Sequence, residues 1–168
     1  MAHDQEWLCK LLTASGWKVS PAPDDDGVLT THHFAGREVL IRTTIPEAFP
    51  RVHPNFALLE RSSYGAMAHV SWRAHNEGTI CIGSPGAYHL NYGDPDAVAT
   101  DGLTKAVDMI ESLLTDDEWN REELLREFSA NWLYLVSSGP NVIVMADPGT
   151  SAIPLRAKLP DKESKHPA

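Results

Sequence analysis

The stretch Glu77-Gly78-Thr79-Ile80-Cys81-Ile82-Gly83 is the part of the sequence that says most about the fold and its chemistry. Its cysteine lies between two isoleucines, which predict a backbone anchored in a core, and the nearby glycines let the chain turn tightly on either side. This pattern would present one thiol at the edge of a rigid scaffold. A buried, inert cysteine is the alternative, and for such a segment taken alone it is the commoner case.

Upstream of this stretch, the sequence predicts one helix followed by a sheet. Apolar residues recur at helical spacing over residues 4–15. Strand-like stretches with short turns between them follow, which is typical of an antiparallel meander. The alternation along a strand sends His32 and His33 to opposite faces, which argues against a metal site shared by the two rings. The predicted strands cover residues 28–34, 39–45, 55–61 and 67–72.

Downstream, glycines and prolines predict an irregular loop over residues 83–98, with two helices after it. The first helix has an apolar stripe that ends near Leu114, and Thr100 or Asp101 is its predicted cap. The second helix is predicted to begin at Asn120. The fold class is therefore α+β, with a four-stranded antiparallel meander between an N-terminal helix and C-terminal helices.

The composition is that of an ordinary globular protein and argues against several functional classes. The chain has 168 residues, a formal net charge of −9 and a pI of about 5.2, and no basic patch for nucleic acid stands out. No apolar run approaches the ~20 residues that span a bilayer, and the N-terminus does not resemble a signal peptide, so we expect a cytoplasmic protein. We expect one domain over residues 1–157, with its core over 4–135, an extension over 136–157 and a flexible tail over 158–168.

The two cysteines, Cys9 and Cys81, must be interpreted separately. A cytosolic protein keeps its thiols reduced, and there is no Cys-x-x-Cys pair, so the sequence predicts no metal site and no cofactor. Cys9 lies in the first predicted helix, where a small packed hydrophobe is the favoured interpretation.

The order of these features resembles the ubiquitin-conjugating enzyme family. Pro46-Glu47-Ala48-Phe49-Pro50 is similar to the proline-rich turn with a Phe-Pro step in that family. Gly78-Thr79-Ile80-Cys81 resembles its Gly-x-Ile-Cys active-site strand, and Leu113-Leu114 resembles the end of the helix that follows. The resemblance covers about residues 4–135 and implies a UBC-like fold.

One motif departs from the family pattern. Eukaryotic members carry His-Pro-Asn shortly before the cysteine, where this chain has His69-Val70-Ser71. The chain does contain His53-Pro54-Asn55, but this triplet precedes Cys81 by 81 − 53, or 28, residues, and we interpret it as a coincidence. Loss of the triplet before the cysteine resembles the bacterial branch of the family, which occurs in antiphage defence operons beside a cyclic-oligonucleotide synthase. Within that branch, the chain is most similar to the short stand-alone form.

The resemblance implies a conjugating enzyme that accepts a ubiquitin-like protein from an activating enzyme onto Cys81 as a thioester. The enzyme would pass it to an amine of a target, and in the bacterial systems that target or partner is a cGAS-like nucleotidyltransferase. A catalytically inactive binding module for a partner protein is the alternative that the missing triplet favours. A cysteine hydrolase ranks last, because hydrolase nucleophiles commonly begin a helix, whereas Cys81 is predicted to end a strand.

Thioester transfer needs a thiolate, a neutral amine and a donor for the developing oxyanion. We favour His89 as the donor, because the loop over residues 83–98 can fold back over the thiol. His69 is held in reserve, since it lies where the family's own histidine would fall, and in the family that histidine is usually structural. Each histidine is also compatible with a surface or packing role. The candidate donors are His69, His75, Asn76 and His89, and the candidates for orienting the incoming lysine are Asp94 and Asp96.

Overall fold

A computed structural model describes residues 5–23, 27–72, 74–83 and 90–138. Within these residues the chain forms three α-helices and six β-strands. The helices are α1 (Gln5–Ala14), α2 (Pro95–Thr115) and α3 (Asp117–Ser138). The strands are β1 (Val19–Pro21), β2 (Val28–Phe34), β3 (Arg37–Thr44), β4 (Asn55–Leu58), β5 (Val70–Trp72) and β6 (Gly78–Ile80).

The six strands form one antiparallel sheet in the order β1-β2-β3-β4-β6-β5. The turn between β2 and β3 is Ala35-Gly36, and both residues have positive φ, at 49° and 75°. This is the backbone that a tight two-residue hairpin requires. At the other side of the sheet, β6 enters between β4 and β5, so the strand that leads to Cys81 has a neighbour on each side.

One face of the sheet is buried against α1 and α2. Alternation along β2 sends His32 into this core and leaves His33 exposed, which confirms that the two rings face opposite ways. The side chains that close the core are fully buried and come from both helices and the central strands; they include Leu8, Leu12, Val28, Ile41, Leu103 and Ile110.

The predicted α+β fold is confirmed, and the sheet has six strands where the sequence predicted four. The two additional strands are β1 and β6, with three residues each. β1 is too short for an alternating pattern to be recognised, whereas β6 is the strand expected before Cys81, which the four-stranded meander did not include. The exchange of β5 and β6 in the sheet order is a second difference, because a plain meander would place the strands in chain order.

Both C-terminal helices begin earlier than predicted. Asp94 caps α2 by accepting a hydrogen bond from the Ala97 N–H at 3.0 Å, and Pro95 occupies the first turn, where its missing N–H costs nothing. The predicted cap at Thr100 or Asp101 is therefore wrong, since both residues lie inside the helix. α3 begins at Asp117 rather than at Asn120.

The chain divides into two compact units, residues 1–128 and 129–168. Of the second unit, the structure describes only the end of α3, up to residue 138. The boundary predicted at residue 157 and the tail over 158–168 lie outside the described residues. Among the described helices, none combines the length and apolar character needed to cross a membrane.

Candidate active site

Cys81 lies directly after β6, where the chain leaves the sheet. Ile80 is buried and Ile82 packs against the core, so the backbone is anchored on both sides. The Cys81 N–H donates to the carbonyl of His69 at 2.7 Å, which continues the β5–β6 pairing by one residue. Cys81 is exposed, whereas Cys9 is half-buried against the core. The exposure distinguishes Cys81 from a buried, inert cysteine.

A groove of about 460 Å³ opens beside Cys81. Three segments form its walls: the turn before β4 and the start of that strand, the end of β6 with the residues after it, and the residues before α2. Arg51, His53 and Asn55 are among its polar residues. Apolar side chains provide much of the remaining lining, among them Val52, Pro54, Phe56, Ile82, Leu90 and Tyr92.

The triplet His53-Pro54-Asn55 lies in the wall of this groove together with Cys81. β4 and β6 are neighbouring strands, and their register pairs Ala57 with Thr79. This pairing ends two residues short of Asn55 and of Cys81, and both of these residues line the groove beyond it. The triplet is therefore distant from Cys81 in sequence but not in space.

His53 forms a half-buried part of the groove wall. Its Nδ1 lies 3.3 Å from the carbonyl oxygen of Val98 in α2. Gly102 makes room for the ring, since a Cβ at this position would lie 2.9 Å from Nδ1. Burial lowers the pKa of His53 below its usual value of 6.5, although the hydrogen bond to Val98 opposes the effect. The ring is therefore neutral near pH 7 and packs in the wall of the groove.

The predicted histidines occupy different environments. Both ring nitrogens of His69 face carboxylates of α3, with Nδ1 2.9 Å from Glu127 and Nε2 3.2 Å from Glu123. His75 is exposed in the turn before β6, with φ of 61°, and is not among the described residues that line the groove. His89 lies outside the described residues, so its role stays a prediction.

The other polar residues that the sequence suggested have structural partners. The side-chain oxygen of Asn76 accepts a hydrogen bond from the Ser62 N–H at 2.8 Å. Asp94 caps α2, and Asp96 accepts a hydrogen bond from the Trp7 indole at 3.2 Å. Over the part of the chain that the structure describes, no group of three or more His, Cys, Asp or Glu side chains is arranged to hold a metal ion.

Comparison with known protein families agrees with the fold. The profile of prokaryotic E2 family B matches residues 23–138, a range that includes Cys81 and the described groove. Comparison with curated proteins and with solved structures gave no match. The match covers more than half of the chain and supports a role in ubiquitin-like conjugation. The chain therefore belongs to prokaryotic E2 family B, a family of bacterial proteins that are similar to ubiquitin-conjugating enzymes.

Proposed function

We propose that this chain accepts a ubiquitin-like protein from an activating enzyme as a thioester on Cys81 and passes it to an amine of a target protein. The observation that carries the proposal is the position of Cys81, which is exposed beside a groove on an anchored backbone. The C-terminus of a ubiquitin-like protein must reach the thiol as an extended chain. A groove with many apolar side chains beside the thiol can accommodate such a chain.

The chemistry consists of two acyl transfers at one sulfur. The Cys81 thiolate attacks the thioester carbonyl carbon, a carbon–sulfur bond forms, and the sulfur of the activating enzyme leaves and takes up a proton. In the second transfer a neutral amine attacks the same carbon, the bond to Cys81 Sγ breaks, and the amine loses a proton as the amide forms. The Cys81 sulfur leaves as a thiolate. Each transfer passes through an oxyanion, so a hydrogen-bond donor near Sγ accelerates both.

We propose Asn55 as this donor, because it lines the same groove as Cys81. Paired residues of antiparallel strands have Cβ atoms about 4.5–5.5 Å apart. Asn55 and Cys81 each lie two positions from the Ala57–Thr79 pair, so we infer that the Asn55 amide reaches an oxygen on the carbon bonded to Sγ. Asn55 is exposed in the groove, whereas both ring nitrogens of His69 are engaged by carboxylates of α3. We therefore assign the donor role to Asn55, with His89 as the competing prediction.

The test uses ubiquitin prepared as a C-terminal mercaptoethanesulfonate thioester, which supplies the acyl group without an activating enzyme. We expect the protein to form a ubiquitin adduct on Cys81 that a reducing agent removes. The protein should then pass ubiquitin to free lysine faster than the reagent alone reacts with lysine. Cys9 is the internal comparison, because it is half-buried. Equal reaction at both cysteines, or no transfer to lysine, would instead support the binding-module alternative.

The defence context is a separate part of the proposal and rests on the resemblance to bacterial conjugating enzymes of antiphage operons. The target would then be a cGAS-like nucleotidyltransferase, modified on an amine. We expect genes for an activating enzyme and for such a synthase beside the gene for this chain. Neighbouring genes with neither function would contradict this context and leave the thioester chemistry to be tested by itself.

A further inference from the structure

A second set of contacts connects Cys81 to α3. The carbonyl of His69 accepts a hydrogen bond from the Cys81 N–H, so His69 lies opposite Cys81 on the β5 side of the sheet. Its backbone N–H donates to Glu127 Oε1 at 2.9 Å, and its Nδ1 lies 2.9 Å from the same oxygen. Its Nε2 lies 3.2 Å from Glu123 Oε2. Two carboxylates, one helical turn apart, thus hold one histidine at three atoms.

Each ring nitrogen of His69 lies within hydrogen-bonding distance of a carboxylate oxygen of α3. Hydrogen bonds to an ionised carboxylate are stronger than those between neutral groups. The His69 side chain is 23% exposed and that of Glu123 is 12% exposed, so solvent screens this bridge less than it screens an ion pair on the open surface.

The bridge also holds an unfavourable backbone conformation. His69 has φ of 56°, in the left-handed region that side chains with a Cβ rarely adopt. Glu127 holds this residue at both its backbone N–H and its ring, and the carbonyl of the same residue accepts the Cys81 N–H. One hydrogen bond thus connects the backbone of Cys81 to a residue that α3 holds.

The residues just before His69 are attached to α3 in the same way. The side-chain oxygen of Asn120 accepts a hydrogen bond from the Ala68 N–H at 3.0 Å, and its amide donates to the Ala66 carbonyl at 3.0 Å. The segment that leads into β5 is thus bound to α3 along its length, and His69 is its last contact before the pairing with Cys81.

We propose that His69 is a positioning residue, and that the bridge from Glu123 through His69 to Glu127 sets the place of the Cys81 thiol in the groove. The inference rests on the proposed thioester function. His69 then acts without touching the substrate. This role differs from that of an oxyanion donor, for which the sequence analysis holds His69 in reserve. A misplacement of about 1 Å at a reacting atom can slow a reaction by about 100-fold, so even a small shift of this backbone is measurable.

The experiment compares acyl transfer with simple alkylation at the same sulfur. Glu123→Gln, Glu127→Gln and the double variant are each reacted with the ubiquitin thioester reagent and, separately, with iodoacetamide. Glu122→Gln is the matched control, because it removes the same charge from an exposed side chain of the same helix, 59% exposed. We expect the double variant to form the Cys81 thioester at least about tenfold more slowly, whereas the alkylation rate should change little. The reason is that only transfer requires the thiol at a fixed position relative to the groove.

A merely structural role for the bridge would slow transfer only in proportion to the unfolded fraction that melting curves of the variants show, and that outcome would overturn the proposal. Transfer at the wild-type rate in all three glutamine variants would overturn it as well. The single variants keep the test decisive if the double variant does not fold, since each should show part of the loss. Failure of the wild-type protein to form any Cys81 adduct is a different result, which would overturn the proposed function.

Discussion

Replacement of Asn55 by alanine tests the proposed chemistry directly. Asn55 begins β4 with its side chain exposed in the groove, so the substitution removes an amide without opening a cavity in the core. Loss of one oxyanion donor in a closed site slows turnover by about 100-fold to 1000-fold. Water can replace part of the lost bond in this open groove. We therefore expect a fall of about tenfold to 100-fold, or about 1.4–2.7 kcal/mol of transition-state stabilisation.

The assay isolates the second acyl transfer. The thioester is formed on Cys81, the reagent is removed, and discharge to free lysine is followed in a single turnover on non-reducing gels. Asn76→Ala is the matched comparison, because it removes the same amide from a residue near Cys81 in sequence whose side-chain oxygen accepts the Ser62 N–H. His89→Ala is measured in parallel as the competing donor.

Discharge of the Asn55→Ala thioester at the wild-type rate would refute the assignment. A fall confined to His89→Ala would return the donor role to that histidine. Equal falls in Asn55→Ala and Asn76→Ala would point to a general effect on folding, which melting curves of the two variants would detect. His75→Ala should discharge at the wild-type rate, since the described lining of the groove does not include His75.

Three further predictions concern Cys81 as the residue that receives the acyl group, and the stability of the fold. Cys81→Ala should abolish the reducible adduct without lowering the melting temperature, and an adduct that survives would falsify the assignment. Gly27→Ala should lower the free energy of unfolding in urea more than Gly16→Ala, by about 1–3 kcal/mol. Both glycines have φ near +90°, but a Cβ at Gly27 would lie 2.1 Å from the Thr43 carbonyl oxygen, while one at Gly16 meets nothing within 4 Å; equal losses would contradict this. Burial, with a smaller effect of the neighbouring His33, lowers the pKa of His32 from 6.5 to about 4. As the pH falls below 6.5, the unfolded chain therefore takes up a proton at this ring, while the ring in the folded protein stays neutral. Stability should therefore be full above pH 6.5 and fall toward pH 4 by at most about 3 kcal/mol, and a His32→Gln variant should lose this part of the slope in urea unfolding.

The longer elements could be predicted from the sequence because their patterns extend over many residues. β2 covers the predicted residues 28–34, and α1 lies within the predicted 4–15. β1 could not be predicted, since three residues of alternation do not differ from a loop. The resemblance indicates a strand before Cys81, but its place between β4 and β5 depends on pairing with distant strands. The start of α2 was misplaced because Asp94-Pro95 is compatible with either a turn or a helix start.

In the candidate site, too, residues marked by their sequence neighbours could be predicted, and residues brought together by the fold could not. Cys81 could be identified because the isoleucines and glycines around it are adjacent in sequence. Asn55 could not be placed in the same groove, since this depends on the pairing of β4 with β6, which the sequence does not indicate. The role of His69 depends on Glu123, which follows it by 54 residues, and on a left-handed backbone that the sequence does not indicate.

The sheet order explains how a chain without His-Pro-Asn shortly before its cysteine can still place polar groups around it. Because β6 lies between β4 and β5, Cys81 has a neighbouring segment on each side. On one side Asn55, at the start of β4, lines the same groove, and on the other the carbonyl of His69 accepts the Cys81 N–H. At the edge of the sheet, Cys81 would have only one such neighbour. α3 contacts His69, whereas Asn55 is exposed. We therefore propose that His69 positions the thiol and that Asn55 donates a hydrogen bond to the oxyanion. An equivalent of the family's asparagine in related bacterial chains should then be sought at the first residue of the strand opposite the cysteine, as well as among the residues that precede it.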